Sequence, residues 1–497
     1  MKGIKSKIKK FISWLENGTE TEKKIFWLAM ISTVCCAVLS CIMLFIPNVL
    51  GVADDGTVTG IMHAAGLEYE KGISAGNSYF VRKYIWKTIS GSKNVSLQNI
   101  FLLFAKRLDL WITGDRIFDI RFLGFAYLLF YLPAVYLIIK AALERLNYFS
   151  EMFIVSIAAV FMFADISYIT YFNSFYPETL FFICLLYLFG SAMHLQKRRK
   201  TDALYIMLFA FAGSAYCFIR QYCFWVGVMG AAFCLFQFFR DRENSQRTTY
   251  LMASGLLIIA AITSFFVMKT EYSNTDKFHA MTRGVLFESD NPEKTLTEMG
   301  IDYSYSLLTD ASSYEQFPMV SGEDSVLQEG FLNKYNSWKV AQYYLRHPFD
   351  MVSMFDIAIK TNLDISRDYC GNYEENASMP PGAKSIFFSA YSIYKKRSAP
   401  KTVGYFVILV IACLAISGSP FSLKKKENRK KRIYFETMLL FTAITAVQTF
   451  YHIINSGEAA LAQYNCQLGI CMDIMLYFLI TEILTRIHIL DKGGKKS

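Results

Sequence analysis

The chain has 497 residues, 54% of them hydrophobic and 16% aromatic, with 51 Lys and Arg against 41 Asp and Glu for a formal net charge of +10. That much apolar surface exceeds what a soluble fold of this length buries, which excludes an ordinary soluble enzyme and marks an all-α polytopic membrane protein. The basic residues fall in short clusters between apolar runs rather than on one face, so they exclude nucleic acid as a partner and leave the lipid bilayer. Most of the eleven cysteines lie inside apolar runs, with only Cys370 in the large polar segment and Cys466 at a run edge. No disulfide framework follows, and a bacterial inner membrane is the expected setting.

Met1–Lys24 sets lysines beside Ile4, Ile8, Phe11, Ile12, Trp14 and Leu15 at helical spacing and predicts a cytoplasmic interfacial helix. The first apolar span, Ile25–Pro47, is too long for the core of a cleaved signal and is expected to stay as an anchor. Loop 49–117 follows. Within it Ser96–Ile112 places Ile100, Leu103, Phe104, Leu108 and Trp111 on one face and Lys106, Arg107 and Asp109 away from it, which predicts a helix lying flat on the bilayer. Further spans are expected at Phe118–Ile139, Met152–Ile169, Pro177–Leu195, Ala203–Ile219, Tyr222–Phe239, Tyr250–Met268, Thr402–Ile416, Tyr434–Ile453 and Cys466–Ile487, for ten in all. The chain thus divides into the helix at 1–24, a transmembrane module at 25–268, a polar and mainly helical cap at 269–401, and C-terminal spans with a basic tail at 402–497. In the cap, the helical run of Phe331–Asn362 is interrupted at His347–Pro348.

Lys and Arg cluster in every second connection: the N-terminal tail, Lys140 and Arg145, Lys197–Lys200, Arg240 to Arg247, Lys424–Arg432, and the C-terminal tail. The positive-inside rule makes these cytoplasmic, so both termini are expected inside and loop 49–117, the cap and Ile454–Asn465 outside. Cysteines introduced at Ser321 should therefore be labelled in intact cells, and cysteines at Asn428 should not. The reverse pattern inverts the orientation.

The outward set holds the unusual charges. Asp54 and Asp55 follow Pro47 so closely that Asp54 lies within about 25 Å of the span at full extension. The pair can act as a general base, a metal ligand or a polar collar. Glu178 opens the fourth span in YFNSFYPETL, Glu458 lies in INSGEAALAQYN, and Arg220 stands in the apolar stretch CFIRQYCFW. A guanidinium there needs an anionic partner, with Asp54, Glu178 and Glu458 as candidates alongside a lipid phosphate. His63, His279, His347 and His452 also face outward, but they are too isolated to predict a zinc site.

FDIRFLGF (Phe118–Phe125), RGVLFESDNPEKTLTEMGID (Arg283–Asp302), WKVAQYYLRHP (Trp338–Pro348) and INSGEAALAQYN (Ile454–Asn465) resemble segments of bacterial membrane hexose transferases of glycan biosynthesis, within the GT-C superfamily of polytopic glycosyltransferases. The resemblance implies transfer of a hexose from a polyprenyl-phosphate sugar donor to a glycan or lipid-linked acceptor outside the cytoplasm, with inversion. It makes Asp54 the base, with Asp55 the alternative, and Arg220 the phosphate ligand. Glu178, Tyr176, His63 and Glu458 complete the expected substrate-binding set. No cofactor is implied; two aspartates also suit a divalent metal, and none is assigned. The alternatives are a transporter or flippase of lipid-linked glycans and a polymerase or ligase of the O-antigen kind.

Overall fold

A computed structural model describes residues 19–487 apart from 74, 75, 77, 88–95, 196–201, 241–245, 269–272, 314–324, 368, 419–428 and 460. The basic runs at 197–200 and 424–428, the tail lysines, and positions 321 and 428 lie outside it. So does most of the helix expected over Met1–Lys24. At Thr19 the side-chain oxygen accepts the Glu22 amide and starts a continuous helix, α1 (Glu20–Phe45), so Glu20–Lys24 form its first turns. Apolar residues ring α1: Trp27, Ile31, Val34 and Val38 are exposed at helical spacing while Leu28, Ala29, Cys36 and Met43 are buried. A helix that is apolar all round, with one face packed and one face bare, is built for lipid contact.

The other long elements are α2 (Leu97–Thr113), α3 (Arg121–Leu143), α4 (Phe149–Phe163), α5 (Glu178–His194), α6 (Asp202–Cys217), α7 (Gln221–Arg240), α8 (Arg247–Val267), α9 (Ser337–Arg346), α10 (Pro348–Asn362), α11 (Ala390–Arg397), α12 (Val403–Ala415), α13 (Arg429–Ser456) and α14 (Gln467–Leu484). Among the described residues six helices, α1, α3, α7, α8, α13 and α14, are long and apolar enough to cross a membrane, or seven if α4 and the bent segment Ile166–Asn173 count as one span. The remaining three of the ten expected positions are held by α5, α6 and α12, which have 17, 16 and 13 residues. These fall short of the ~20 residues that a 30 Å hydrocarbon core asks of an unaided helix. In α5 every residue except Tyr187 is buried, so protein rather than lipid surrounds it. The chain is a mostly helical, multi-pass membrane protein with α5 as its central post.

Three departures from the expected spans have local causes. Met152–Ile169 is not straight: its two halves meet at 45°, because the Asp165 side chain accepts the Ser167 amide at 2.9 Å and starts a new helix. Ile117–Asp119 belongs to no span but pairs antiparallel with Lys83–Trp86, in register Lys83 to Asp119, and Lys83–Trp86 pairs with Leu67–Glu68. The first loop therefore carries a three-stranded sheet where only helix was expected. Helix α2, capped by the Ser96 hydroxyl at 3.2 Å, turns Lys106 and Asp109 into the protein and leaves Ile100, Leu103, Phe104 and Trp111 exposed, the last at 82%. Lys106 donates to the Ala65 carbonyl at 2.5 Å and sits 4.2 Å from the Trp86 ring centroid, which satisfies its charge away from the apolar face.

The basic clusters, read from sequence as topology signals, also clamp helices together where they are described. Arg145, fully buried, donates to Glu482 of α14 at 2.6 Å, and Arg240 of α7 meets Glu436 of α13 at 2.7 Å. In the cap, His347 ends α9 and Pro348 opens α10 at its first position, where the missing amide is harmless.

Candidate functional site

The site is assembled where loop 49–56 is laid along the returning cap segment 366–374. The Gly51 amide donates to the Asn372 carbonyl at 3.1 Å, the Ala53 amide to the Gly371 carbonyl at 3.0 Å, and the Asn372 carboxamide back to the Gly51 carbonyl at 2.8 Å. Residues 78–80 close over both segments at two glycines: a Cβ on Gly51 would fall 2.2 Å from the Phe80 ring, and one on Gly371 would fall 2.4 Å from the Ser78 carbonyl. A third, Gly56 at φ +94°, lets the chain turn directly after the two aspartates.

This pairing delivers Arg367 between Asp55 and Glu178. One guanidinium nitrogen reaches Asp55 Oδ2 at 2.5 Å, another reaches Glu178 Oε1 at 2.9 Å, and the plane lies 4.4 Å from the Tyr176 ring centroid. The Tyr176 hydroxyl receives the Asp55 amide at 3.0 Å and donates to the Ala53 carbonyl at 3.1 Å, so the ring both supports the cation and fixes the loop. Asp55 is further held by the Thr57 hydroxyl at 2.6 Å and Tyr369 at 3.2 Å. Burial by itself would raise the Asp55 carboxyl, but Arg367 and the Thr57 bonds outweigh it and hold the group below its ordinary range. Burial pulls the Arg367 guanidinium the other way, and Glu178, Tyr171, Tyr176 and Asp55 around it keep it charged. The ion trio is not saturated: Glu178 Oε2 and Arg367 Nε are buried with no hydrogen-bond partner.

Asp54 faces the other way. It is half-buried, with Oδ1 accepting the Gly56 amide at 2.7 Å and Oδ2 accepting the Tyr69 hydroxyl at 2.5 Å. Tyr69 packs 5.6 Å from Tyr84, and Tyr84 4.8 Å from Phe175, so an aromatic wall runs from Asp54 back toward Tyr176. Burial, then Tyr84 and Asp54, push the Tyr69 phenol up, so it remains a proton donor to the carboxylate at any physiological pH. The adjacent aspartates thus occupy different environments, one inside an ion trio and one presented at its edge.

The other expected residues divide between this place and elsewhere. Arg220 precedes the turn Gln221–Cys223, half-buried, and its charge acts on Glu178 and Cys466. The carboxylates expected to answer Arg220 hold other close partners: Asp54 pairs with Tyr69, Glu178 with Arg367, and Glu458 with Arg283. Glu458 also donates its amide to the Arg283 carbonyl at 3.2 Å, and Gly457 at φ +58° packs against that turn, so Glu458 ties the loop before α14 to the helical bulge Met281–Val285. His63 is exposed on the short helix Thr59–Ala64. Arg367, Tyr69, Tyr369 and Arg283 were not singled out from sequence. The available cue was RDYCGNY (Arg367–Tyr373), in which a glycine, aromatics and an arginine interrupt the helical pattern of the cap. Among the described residues no group of three or more His, Cys, Asp or Glu is placed to hold a metal.

A second feature adjoins the cap. An apolar groove of about 560 Å³ runs between α9 and α10 on one side and α12 and α13 on the other, lined by Tyr344, Leu345, Phe355, Phe406, Phe450 and Ile454. Helix α10 borders it near its start and leads at its end into the segment carrying Arg367.

Among solved structures the chain is similar to an archaeal oligosaccharyltransferase, AglB from Archaeoglobus fulgidus in complex with an inhibitory peptide and a dolichol-phosphate, at 9% identity and a TM-score of 0.40. The match covers 96% of this chain and 53% of that one, so the chain spans about half the length of that protein. No curated protein matches the sequence. A family model does, over residues 9–497, and the chain belongs to the family described as the YfdI N-terminal transmembrane domain.

Proposed function

We propose that the chain is a membrane glycosyltransferase that moves a hexose from a polyprenyl-phosphate donor to a glycan or lipid-linked acceptor on the extracytoplasmic side, with inversion. The observation that carries this reading is the division of labour between the two aspartates. An inverting displacement needs one carboxylate to take the acceptor proton and a cation to meet the departing phosphate. Asp55, bonded to Arg367, Tyr369 and Thr57, is a poor base. Asp54, at the edge of the trio and oriented by Tyr69, is the base. Arg220 takes the phosphate, Arg367 positions Asp55 and Glu178, and Tyr176 holds the loop that carries both aspartates. Glu178, through its unpartnered Oε2, is left to contact the sugar or the acceptor. The apolar groove beside α10 supplies a path for a polyprenyl chain toward that end of the molecule. In this reading the protein is bacterial, lies in the inner membrane and needs no cofactor.

One observation favours the transporter reading. Asp473, inside α14, is buried with Lys395 at 2.7 Å and Tyr391 at 2.7 Å, and Tyr168 also bonds it. Ionisable groups held within spans are a feature of transport paths. Incubating the purified protein in lipid with a panel of radiolabelled polyprenyl-phosphate sugars separates the two: label appearing on acceptor supports transfer, whereas translocation of an intact lipid-linked glycan without label transfer replaces it with transport.

A further inference from the structure

A second charged cleft lies between the end of the first span and the start of the next, lined by residues other than the Asp54, Asp55, Glu178 and Arg367 cluster. It measures about 230 Å³ and is lined by Pro47, Asn48, Arg82, Arg121, Glu374 and Asn376, with Phe45 at its base. Phe45 is the last residue of α1 and Arg121 the first of α3, so the cleft sits where two membrane helices leave the hydrocarbon on the same side. That is the depth of lipid headgroups.

The two guanidiniums are only partly used. Arg121 forks onto Asp119 through Nε, 3.0 Å from both carboxylate oxygens, and through Nη2 at 2.7 Å. Its Nη1 has no acceptor among the described residues. Arg82 comes nearest its carboxylates at Nε, 3.2 Å from Glu374 and 3.8 Å from Asp119, and that nitrogen makes no hydrogen bond there. Both side chains keep access to the cleft, at 29% and 39% exposure. An arginine has five donors in a planar fork that matches phosphate oxygens. Here three terminal nitrogens on two such forks are left over at one opening, with the carboxamides of Asn48 and Asn376 beside them.

We propose that this cleft binds the phosphate of a lipid headgroup, with Arg82 and Arg121 as its ligands. Glu374 is the competitor. The two arginines are balanced by Asp119 and Glu374, so the cleft is close to neutral and suits a singly charged phosphodiester better than a dianion. Asp119 is committed to Arg121 by its two-pronged pairing, whereas Glu374 holds Arg82 by one loose contact that an entering phosphate displaces. The site is independent of the transfer chemistry: it tethers the first two spans and the loop between them to the lipid surface whether or not a sugar is moved. A bilayer phospholipid and a lipid-linked sugar carrier both offer this phosphate.

The test is equilibrium binding to the purified full-length protein, stripped of lipid in an uncharged detergent. Short-chain phosphatidylglycerol, polyprenyl phosphate and inorganic phosphate are titrated separately and bound stoichiometry is read by native mass spectrometry. Arg82→Gln/Arg121→Gln should weaken lipid binding at least about tenfold, the worth of one charge-assisted hydrogen bond. Glu374→Gln should strengthen it, because the competitor loses its charge. Opposite signs from two variants of one cleft cannot come from misfolding, which lowers binding in both. Loss confined to phosphatidylglycerol assigns the site to bilayer lipid, loss confined to polyprenyl phosphate assigns it to the carrier, and loss of both supports the shared phosphate. Binding unchanged in both variants, or lowered equally in both, overturns the proposal. Because no turnover is measured, failure here leaves the transfer reading untouched, and failure of transfer leaves this site standing.

Discussion

Asp54→Asn should leave an expressed, folded protein that still binds the lipid-linked donor but transfers sugar about 10²–10⁴-fold more slowly, the usual effect of removing a general base. The amide keeps the shape: its oxygen can accept the Gly56 amide that Asp54 Oδ1 takes at 2.7 Å while its NH2 donates to the Tyr69 oxygen, so little stability should be lost. Single-turnover transfer with radiolabelled donor reads the rate, and donor binding is measured alongside it. Tyr69→Phe should lower the rate by a smaller factor, because the carboxylate loses the hydroxyl that orients it. Near-normal turnover of Asp54→Asn removes the loop from the chemistry and takes the transferase reading with it.

Arg367→Ala should act on folding before it acts on rate. It strands two carboxylates, Asp55 and the fully wrapped Glu178, which the guanidinium reaches at 2.5 and 2.9 Å. Removing one partner of a buried ion pair costs about 3–5 kcal/mol, because the remaining charge stays buried. Arg367→Lys should recover little, since a point charge cannot bridge two carboxylates and lie over the Tyr176 ring at once. The loss should also depend on pH with a defined sign. The Asp55 carboxyl is held below its ordinary value of 3.8, so its pairing contributes stability above that value and loses it as pH falls through the lower folded value. The gap in thermal midpoint between wild type and Arg367→Ala should therefore be widest near neutrality and narrow toward pH 4, where a buried, unpaired Asp55 takes up a proton in the variant. An alanine variant as stable as wild type at neutral pH refutes the trio as a structural hub. Arg220→Ala is the informative contrast: it should weaken donor binding, with Arg220→Lys restoring part of it.

How much of this was legible beforehand depends on the range of the interaction that sets each feature. The positions of the apolar helices could be read because a helix facing lipid must be apolar all round, as Trp27, Ile31, Val34 and Val38 are on one side of α1 and Leu28, Ala29 and Cys36 on the other. The amphipathic helix over Ser96–Ile112 could be read for a similar reason: its exposed apolar stripe is a property of local spacing. The acidic loop could be found because adjacent aspartates directly after a span are unusual wherever they fold. The sharp bend at Asp165 was locally encoded as well, but an N-cap aspartate inside an apolar run reads as a single tolerated polar residue until its bond to the Ser167 amide is seen.

What the sequence by itself determined is the class of molecule, a multi-pass helical protein, and the placing of Asp54, Asp55 and Glu178 near the ends of apolar runs, which the fold then gathers around Tyr176 and Arg367. Only the tertiary structure decided which charge answers which. Arg367 stands 312 residues from Asp55 in the chain and 189 from Glu178. No periodicity or local spacing reports such a pairing, which depends on two distant segments bonding side by side, as the Gly51 and Ala53 amides do to the Asn372 and Gly371 carbonyls. The same holds for Glu458, which a linear reading offered to Arg220 and the fold gave to Arg283, 175 residues away. Hydrophobic periodicity is a nearest-turn property of the helix, so it survives in one dimension. The pairing of buried charges is settled by which backbones can approach within hydrogen-bond distance, and that exists only once the chain has folded.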